Sequence, residues 1–258
     1  MTYQLGSKKI STLAFALAVN IAGFASTISL ANAADIFTPK TVVELFTSQG
    51  CSSCPPADEA LTELIKDKNY LGLAYHVDYW DYIGWKDTFG SPEFTKRQRS
   101  YSRAMNERQI YTPQAIINGR SHMNGAYGDK IKSTAQNYIQ SGESLTVPII
   151  VVENAGRLSV TIKAQDTYKD ATLYAVYFEP EEVVDIKRGE NAGKKVTYTN
   201  IVRKIEMLGM TGENGLHAEF SLADVKAKGF KNYALILQSK NTDMTPSAII
   251  GASVITNL

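Results

Sequence analysis

Apolar and polar positions follow two regimes along the chain. Thr41–Phe46 is almost continuously apolar, as a strand buried on both faces would be, and Leu71–Val77 repeats the pattern. Between them Ala60, Leu61, Leu64 and Ile65 recur at helical spacing. Pro55 and Pro56 suit the first turn of that helix, and Asp58 and Glu59 complement its positive end. Strand, helix and strand in this order predict a βαβ unit with parallel strands and a right-handed crossover. A second helix is predicted from Ser91 to Arg108, opened by Ser-Pro-Glu and carrying Phe94, Tyr101 and Met105 on one side. Ala115–Ile117 then reads as a short strand, Asn118-Gly119 as a hairpin turn and Ser121–Ala126 as the returning strand. Asp129–Gln140 closes this part as a helix with Ile131, Ala135 and Tyr138 or Ile139 inward.

The pattern changes near Gly142. Leu145–Val152, Arg157–Ala164, Thr172–Glu179, Leu216–Ser221 and Tyr233–Gln238 are short strand-like runs separated by turn residues such as Asn154-Ala-Gly156 and Gly212-Glu-Asn-Gly215. Without helices between them they predict an antiparallel sandwich. Residues 34–143 and 144–258 are therefore expected to form two domains. The charged loop Glu181–Lys195 contains Gly189-Glu-Asn-Ala-Gly193, which lacks the strand–helix setting of a phosphate loop and reads as a solvent-exposed or interdomain segment.

Residues 1–33 read as an address rather than as structure. Lys8 and Lys9 precede an apolar run from about Ile10 to Leu30, and Ala31-Asn32-Ala33 supplies a small-x-small cleavage pattern. The expectation is an exported protein, periplasmic or secreted, that meets a membrane only through this signal before cleavage after Ala33. The mature chain keeps 225 residues (258 minus 33), and losing two lysines changes 27 basic against 26 acidic residues to 25 against 26. A net charge of −1 offers no basic footprint for nucleic acid.

Candidate chemistry concentrates in Thr47-Ser-Gln-Gly-Cys51-Ser-Ser-Cys54-Pro-Pro-Ala-Asp58, which holds both cysteines of the protein. A ring this small adds little stability by constraining the unfolded chain, because that benefit grows with loop length. A switchable dithiol fits better, in an oxidising compartment where disulfides persist. Cys51 is expected at the helix N-terminus, where free N–H groups and the dipole favour a thiolate, with Cys54 as the less accessible partner. Asp78–Trp85 holds both tryptophans and could wall a groove near the thiols or simply cover the core. Lys96, Arg97, Arg99, Arg103 and Arg108 make the second helix basic, a face read mainly as solvated. His76 and His217 read as structural imidazoles.

The element order, with CxxC before the first helix and Thr112-Pro113 before the hairpin, resembles the thioredoxin fold. Val-Glu-Leu-Phe-Thr-Ser-Gln-Gly-Cys-Ser-Ser-Cys-Pro-Pro-Ala-Asp resembles more closely an exported thioredoxin-like family of unknown function. The resemblance continues through His-Val-Asp-Tyr-Trp-Asp-Tyr-Ile-Gly-Trp, Tyr-Thr-Pro-Gln-Ala-Ile-Ile-Asn-Gly and Gly189–Gly193. It implies an α/β thioredoxin-like domain (βαβαββα, with a helical insertion) followed by a β-rich antiparallel sandwich-like domain. It further implies Cys51 as attacking thiol, Cys54 as resolving thiol, Pro113 as a cis-proline facing the disulfide and Thr112 as a backbone dock for substrate. Glu44, one position from the spacing of the thioredoxin buried acid, is a candidate proton relay for Cys54.

The leading expectation is a thiol–disulfide oxidoreductase acting on disulfide- or thiol-bearing exported proteins or small-molecule disulfides, with no cofactor beyond the Cys51–Cys54 pair. One alternative is a periplasmic copper protein, in which soft thiolates of Cys51 and Cys54 are joined by His122 and Met123. Another is a non-catalytic binding module with a static disulfide. Hydrolase readings lack their motifs: the chain has no Gly-x-Ser-x-Gly and no His-Glu-x-x-His.

Overall fold

The computed structural model describes residues 1–2 and 35–256, so the predicted signal segment lies outside the described residues. The described residues from Asp35 to Thr256 belong to one compact unit. Its elements in order are β1 (Asp35–Phe37), β2 (Thr41–Thr47), α1 (Pro55–Leu64), β3 (Tyr70–His76), α2 (Pro92–Ala104), β4 (Gln114–Ile117), β5 (Ser121–Asn124) and α3 (Gly128–Ser141). β6 (Ile150–Asn154), β7 (Arg157–Ile162), β8 (Thr172–Asp185), β9 (Lys195–Met210), β10 (Leu216–Ser221), α4 (Leu222–Ala227), β11 (Asn232–Lys240) and β12 (Pro246–Thr256) follow.

Nine strands build one sheet, ordered β1-β12-β11-β8-β9-β3-β2-β4-β5. β2 and β3 are parallel, and β4 and β5 add antiparallel beyond β2. The residues on either side of Gly142 thus share a single sheet, joined where β9 runs parallel to β3 at Ala74↔Ile201. A smaller sheet, β10-β7-β6, covers part of one face. There Leu158, Val160 and Ile162 of β7 meet Leu173 and Ala175 of β8 and Leu235 and Leu237 of β11. The smaller sheet packs on the same large sheet that carries the CxxC segment.

Helix placement follows strand alternation, since successive side chains point to opposite faces. Val43 and Leu45 of β2 pack with Ala57, Leu61 and Leu64 of α1 and with Ile131 and Ala135 of α3. Val42 and Phe46 face the other way, toward Phe94 and Tyr101 of α2. α2 begins cleanly because the Ser91 side chain accepts from Glu93 N–H and Pro92 occupies the first turn.

Three strands, β1, β9 and β12, escape a pattern-based reading, and β8 runs past the end at Glu179 that the pattern predicts. β1 has only three residues, and β12 carries Gly251 in its middle. β8 passes through Pro180, where the sequence suggests an end, with Glu179 facing Ile201 and Glu181 facing Thr199. Opposite it in β9 lies Asn200, at φ 46°, whose side-chain amide donates to the Gly72 carbonyl of β3. Register shifts in the β8–β9 pair break the clean alternation that the sequence would need to display.

Candidate functional site

Cys51 and Cys54 form a disulfide with Cα atoms 5.4 Å apart. The loop is a turn closed by Cys54 N–H donating to the Cys51 carbonyl at 3.2 Å. Cys54, rather than Cys51, caps α1, and Cys51 precedes the cap by one turn. The prolines at 55 and 56 explain the offset: they form the first turn of the helix and carry no N–H, and the Ala57 and Asp58 N–H groups donate to the Cys54 carbonyl at 2.8 and 3.2 Å. Burial does not separate the cysteines either, at 1% and 0% exposed, whereas Ser52 and Ser53 between them are exposed. Ser53 Oγ lies 3.4 Å from Cys51 Sγ.

Behind this loop sits a buried polar group that spacing did not reveal. Asp58, one turn along α1 from Cys54, accepts from Thr47 Oγ1 at 2.8 Å through Oδ1, while Oδ2 has no partner among the described residues. Burial pushes its carboxyl up to about 7, against the opposing pull of His76 and the Thr47 hydroxyl. His76 is fully buried, between Phe89 and Tyr198 ring edges, with Nδ1 2.9 Å from Asp87 Oδ2. A carboxylate only accepts, so Nδ1 carries the proton; Nε2 is left without a partner among the described residues. Burial would raise Asp87, but the His76 charge and hydrogen bond and the Gln49 and Phe89 amides together hold it below the usual carboxylate range. His76 is thus a structural imidazole in part, yet it is coupled to an acid beside the disulfide.

The remaining candidates separate. The Thr112–Pro113 peptide is cis, and Thr112 Oγ1 accepts from Trp80 Nε1 at 2.7 Å. Thr112 precedes the β4 ladder, and its own N–H and C=O have no backbone partner among the described residues. Trp85 Nε1 donates to Gln49 Oε1 at 2.8 Å, so the aromatic segment does border the loop that leads to Cys51.

Glu44 is a correction. As an even-numbered residue of β2 it points to α2, away from α1, and its carboxylate takes Arg97 Nε at 2.7 Å and the Tyr101 hydroxyl. It is fully buried in that network and is not a relay at Cys54. Arg97 correspondingly belongs to the core and not to a solvated basic face.

His122 and Met123 are neighbours on β5 and so face opposite sides of the sheet. His122 is held by the Tyr111 hydroxyl at 2.9 Å and Glu107 at 3.2 Å, while Met123 packs with the α1–α3 cluster. The two therefore do not converge with the cysteines, and no group of three metal-ligating side chains occurs among the described residues.

The segment Gly189–Gly193, expected to be free of the site, touches it. It is the tip of the β8–β9 hairpin, and Asn191 Nδ2 donates to both the Gln49 carbonyl at 2.9 Å and the Cys51 carbonyl at 2.8 Å. Glu190 Oε2 accepts from Ser52 N–H at 3.3 Å. Only the pairing of β9 with β3 brings a segment some 140 positions away onto this loop, so no local signal pointed to it.

Residues 42–238 match the family described as a protein of unknown function (DUF1223). The chain belongs to this family. It is also similar to a protein of Agrobacterium tumefaciens known from an X-ray crystal structure, at 37% identity and a TM-score of 0.77, over 86% of this chain and 96% of that one. No curated protein matches the chain. The matched family region spans every residue of the site, from Thr47 to Asn191.

Proposed function

We propose that this DUF1223 protein is an exported thiol–disulfide oxidoreductase of thioredoxin-like architecture, working through Cys51 and Cys54. The observation that carries the reading is the joining of the two cysteines across exposed Ser52 and Ser53, one helical turn from a buried carboxyl raised to about 7. The β3-β2-β4-β5 order, with α1 and α3 on one face and α2 on the other, supports the fold. The cis Thr112–Pro113 peptide, with the unpaired Thr112 backbone, supports a dock for an extended substrate.

In the oxidising direction a substrate thiolate attacks Cys51 Sγ. The Cys51–Cys54 bond breaks, its electron pair goes to Cys54 Sγ, and a mixed disulfide forms. Cys54 is buried, so its thiolate needs a proton, and Asp58 is the acid at hand, near half-protonated at neutral pH. A second substrate thiolate then attacks the substrate sulfur of the mixed disulfide and expels Cys51. The substrate ends oxidised to a disulfide and the protein reduced to a dithiol. Reduction of a substrate disulfide is the same sequence reversed, with Cys54 as the resolving thiol.

The burial of both cysteines favours a second reading, a binding module with a static disulfide. Two measurements separate them. Cys54→Ser protein recovered from the cell envelope should carry exported proteins as mixed disulfides on Cys51, released by reductant. The pair's potential should fall between about −120 and −270 mV. No trapped partner together with a potential below about −300 mV assigns the static reading.

A further inference from the structure

The β8–β9 hairpin ends in a tip whose construction exceeds what a turn needs. Ile186 N–H donates to the Lys194 carbonyl at 2.9 Å, Gly193 N–H returns to the Ile186 carbonyl at 2.8 Å, and Ala192 N–H donates to the Gly189 carbonyl at 3.2 Å. Gly189, at φ 77°, lets the tip lie against Trp85, whose Cβ would stand 3.2 Å from a Cβ at that position. Seven residues of the tip project outward or partly so, but Asn191 is 1% exposed and turned inward. Each polar atom of its side chain is used: Nδ2 on two carbonyls of the cysteine loop, Oδ1 on Lys194 Nζ at 2.8 Å. The two carbonyls flank Gly50, so one amide fixes the turn that carries Cys51.

Glu190 follows from that clamp. With Asn191 anchored, the neighbouring carboxylate sits on Ser52 N–H. That amide lies in the stretch before α1 whose N–H groups would stabilise a Cys51 thiolate. An anion there occupies a donor the thiolate would draw on and repels the thiolate itself. We propose that Glu190 and Asn191 are positioning residues of the Cys51–Cys54 pair, Asn191 holding the loop and Glu190 biasing the pair toward its disulfide form. The use of this bias rests on the oxidoreductase reading; its measurement does not.

Other charges near the thiol stay constant in the test. Asp58 faces the loop from α1, the His76–Asp87 pair lies behind it, and Lys194 is held by Asn191. Glu190→Gln removes one exposed charge from the amide next to Cys51; at a separation of about 4 Å in a watery setting such a charge is worth about a fivefold change in thiol acidity. The Cys51 thiol pKa, read from thiolate absorbance in the reduced mature protein, should therefore fall by about 0.7 unit. At about pH 9, above the ordinary thiol value, the reduction potential should rise by about 20 mV, the two-electron equivalent of fivefold. Both changes should shrink in about 1 M salt, which screens exposed charges.

Asn191→Ala should free the tip, so that adding Glu190→Gln in that background moves the potential by less than about 5 mV. Glu219→Gln on β10, remote from the loop, should move neither quantity. An unchanged or lowered potential in Glu190→Gln overturns the assignment of Glu190, and a full shift retained without Asn191 overturns that of Asn191. If the shifts appear in a protein that traps no partner and exchanges no disulfide, the positioning roles stand and the oxidoreductase reading fails.

Discussion

Replacing Asp58 by Asn tests the buried acid directly. The carboxyl is 3% exposed and its value rises from 3.8 in an unstructured chain to about 7 here, chiefly through burial. Between those two values the folded protein holds a proton that the unfolded chain has released, so stability falls as pH rises through this window. At 1.36 kcal/mol per unit the full loss is about 4 kcal/mol, and relaxation or water entry brings the expected value to about 2–4 kcal/mol. Asn keeps an oxygen for the Thr47 hydroxyl and has no ionisable proton. Urea unfolding of the oxidised protein at about pH 5 and about pH 8, for wild type and Asp58→Asn, isolates the group by difference. Groups remote from residue 58 contribute equally to both proteins and cancel. The depressed Asp87 acts only below this window, where its stabilising contribution is lost as pH falls. Only the part of the window above pH 5 is crossed in this assay, so wild type should lose about 1–2.5 kcal/mol relative to the variant between the two pH values. An equal pH response of the two proteins would show that the carboxyl ionises as freely as in water, and the buried-acid argument would fall.

Three further outcomes follow from the packing and the site. Glu44→Gln should cost about 3–5 kcal/mol by leaving Arg97 buried without its counter-charge, and should leave the Cys51–Cys54 potential unchanged; a shifted potential with intact stability would restore Glu44 to the disulfide. Gly119→Ala should destabilise by more than about 2 kcal/mol, because φ is 65° and a Cβ would meet the Ser247 carbonyl at 2.4 Å; a melting temperature equal to wild type would show that the β4–β5 turn does not abut β12 as described. Stoichiometric copper or zinc in protein purified reduced and without oxygen would overturn the separation of His122 and Met123 from the cysteines, and elemental analysis should find neither.

Much of the first half was legible locally because its signals are short-range. β2, β3, α1, α2 and the β4–β5 hairpin each announce themselves through runs, caps and turns within a dozen residues, and the bonded cysteines are three positions apart. What the chain could not display in one dimension was which side chains share a face or a neighbour. Alternation along β2 decides that Glu44 meets Arg97 across the sheet from α1. Burial of Asp58 by Thr47, His76 and Tyr198 turns an apparent helix-start acid into a group titrating near 7. The β9–β3 pairing carries Asn191 onto Cys51 from 140 residues away. Desolvation, ion pairing and hydrogen bonding depend on distance in space, so residue type and spacing located the sulfur chemistry, and only the tertiary structure decided what surrounds it.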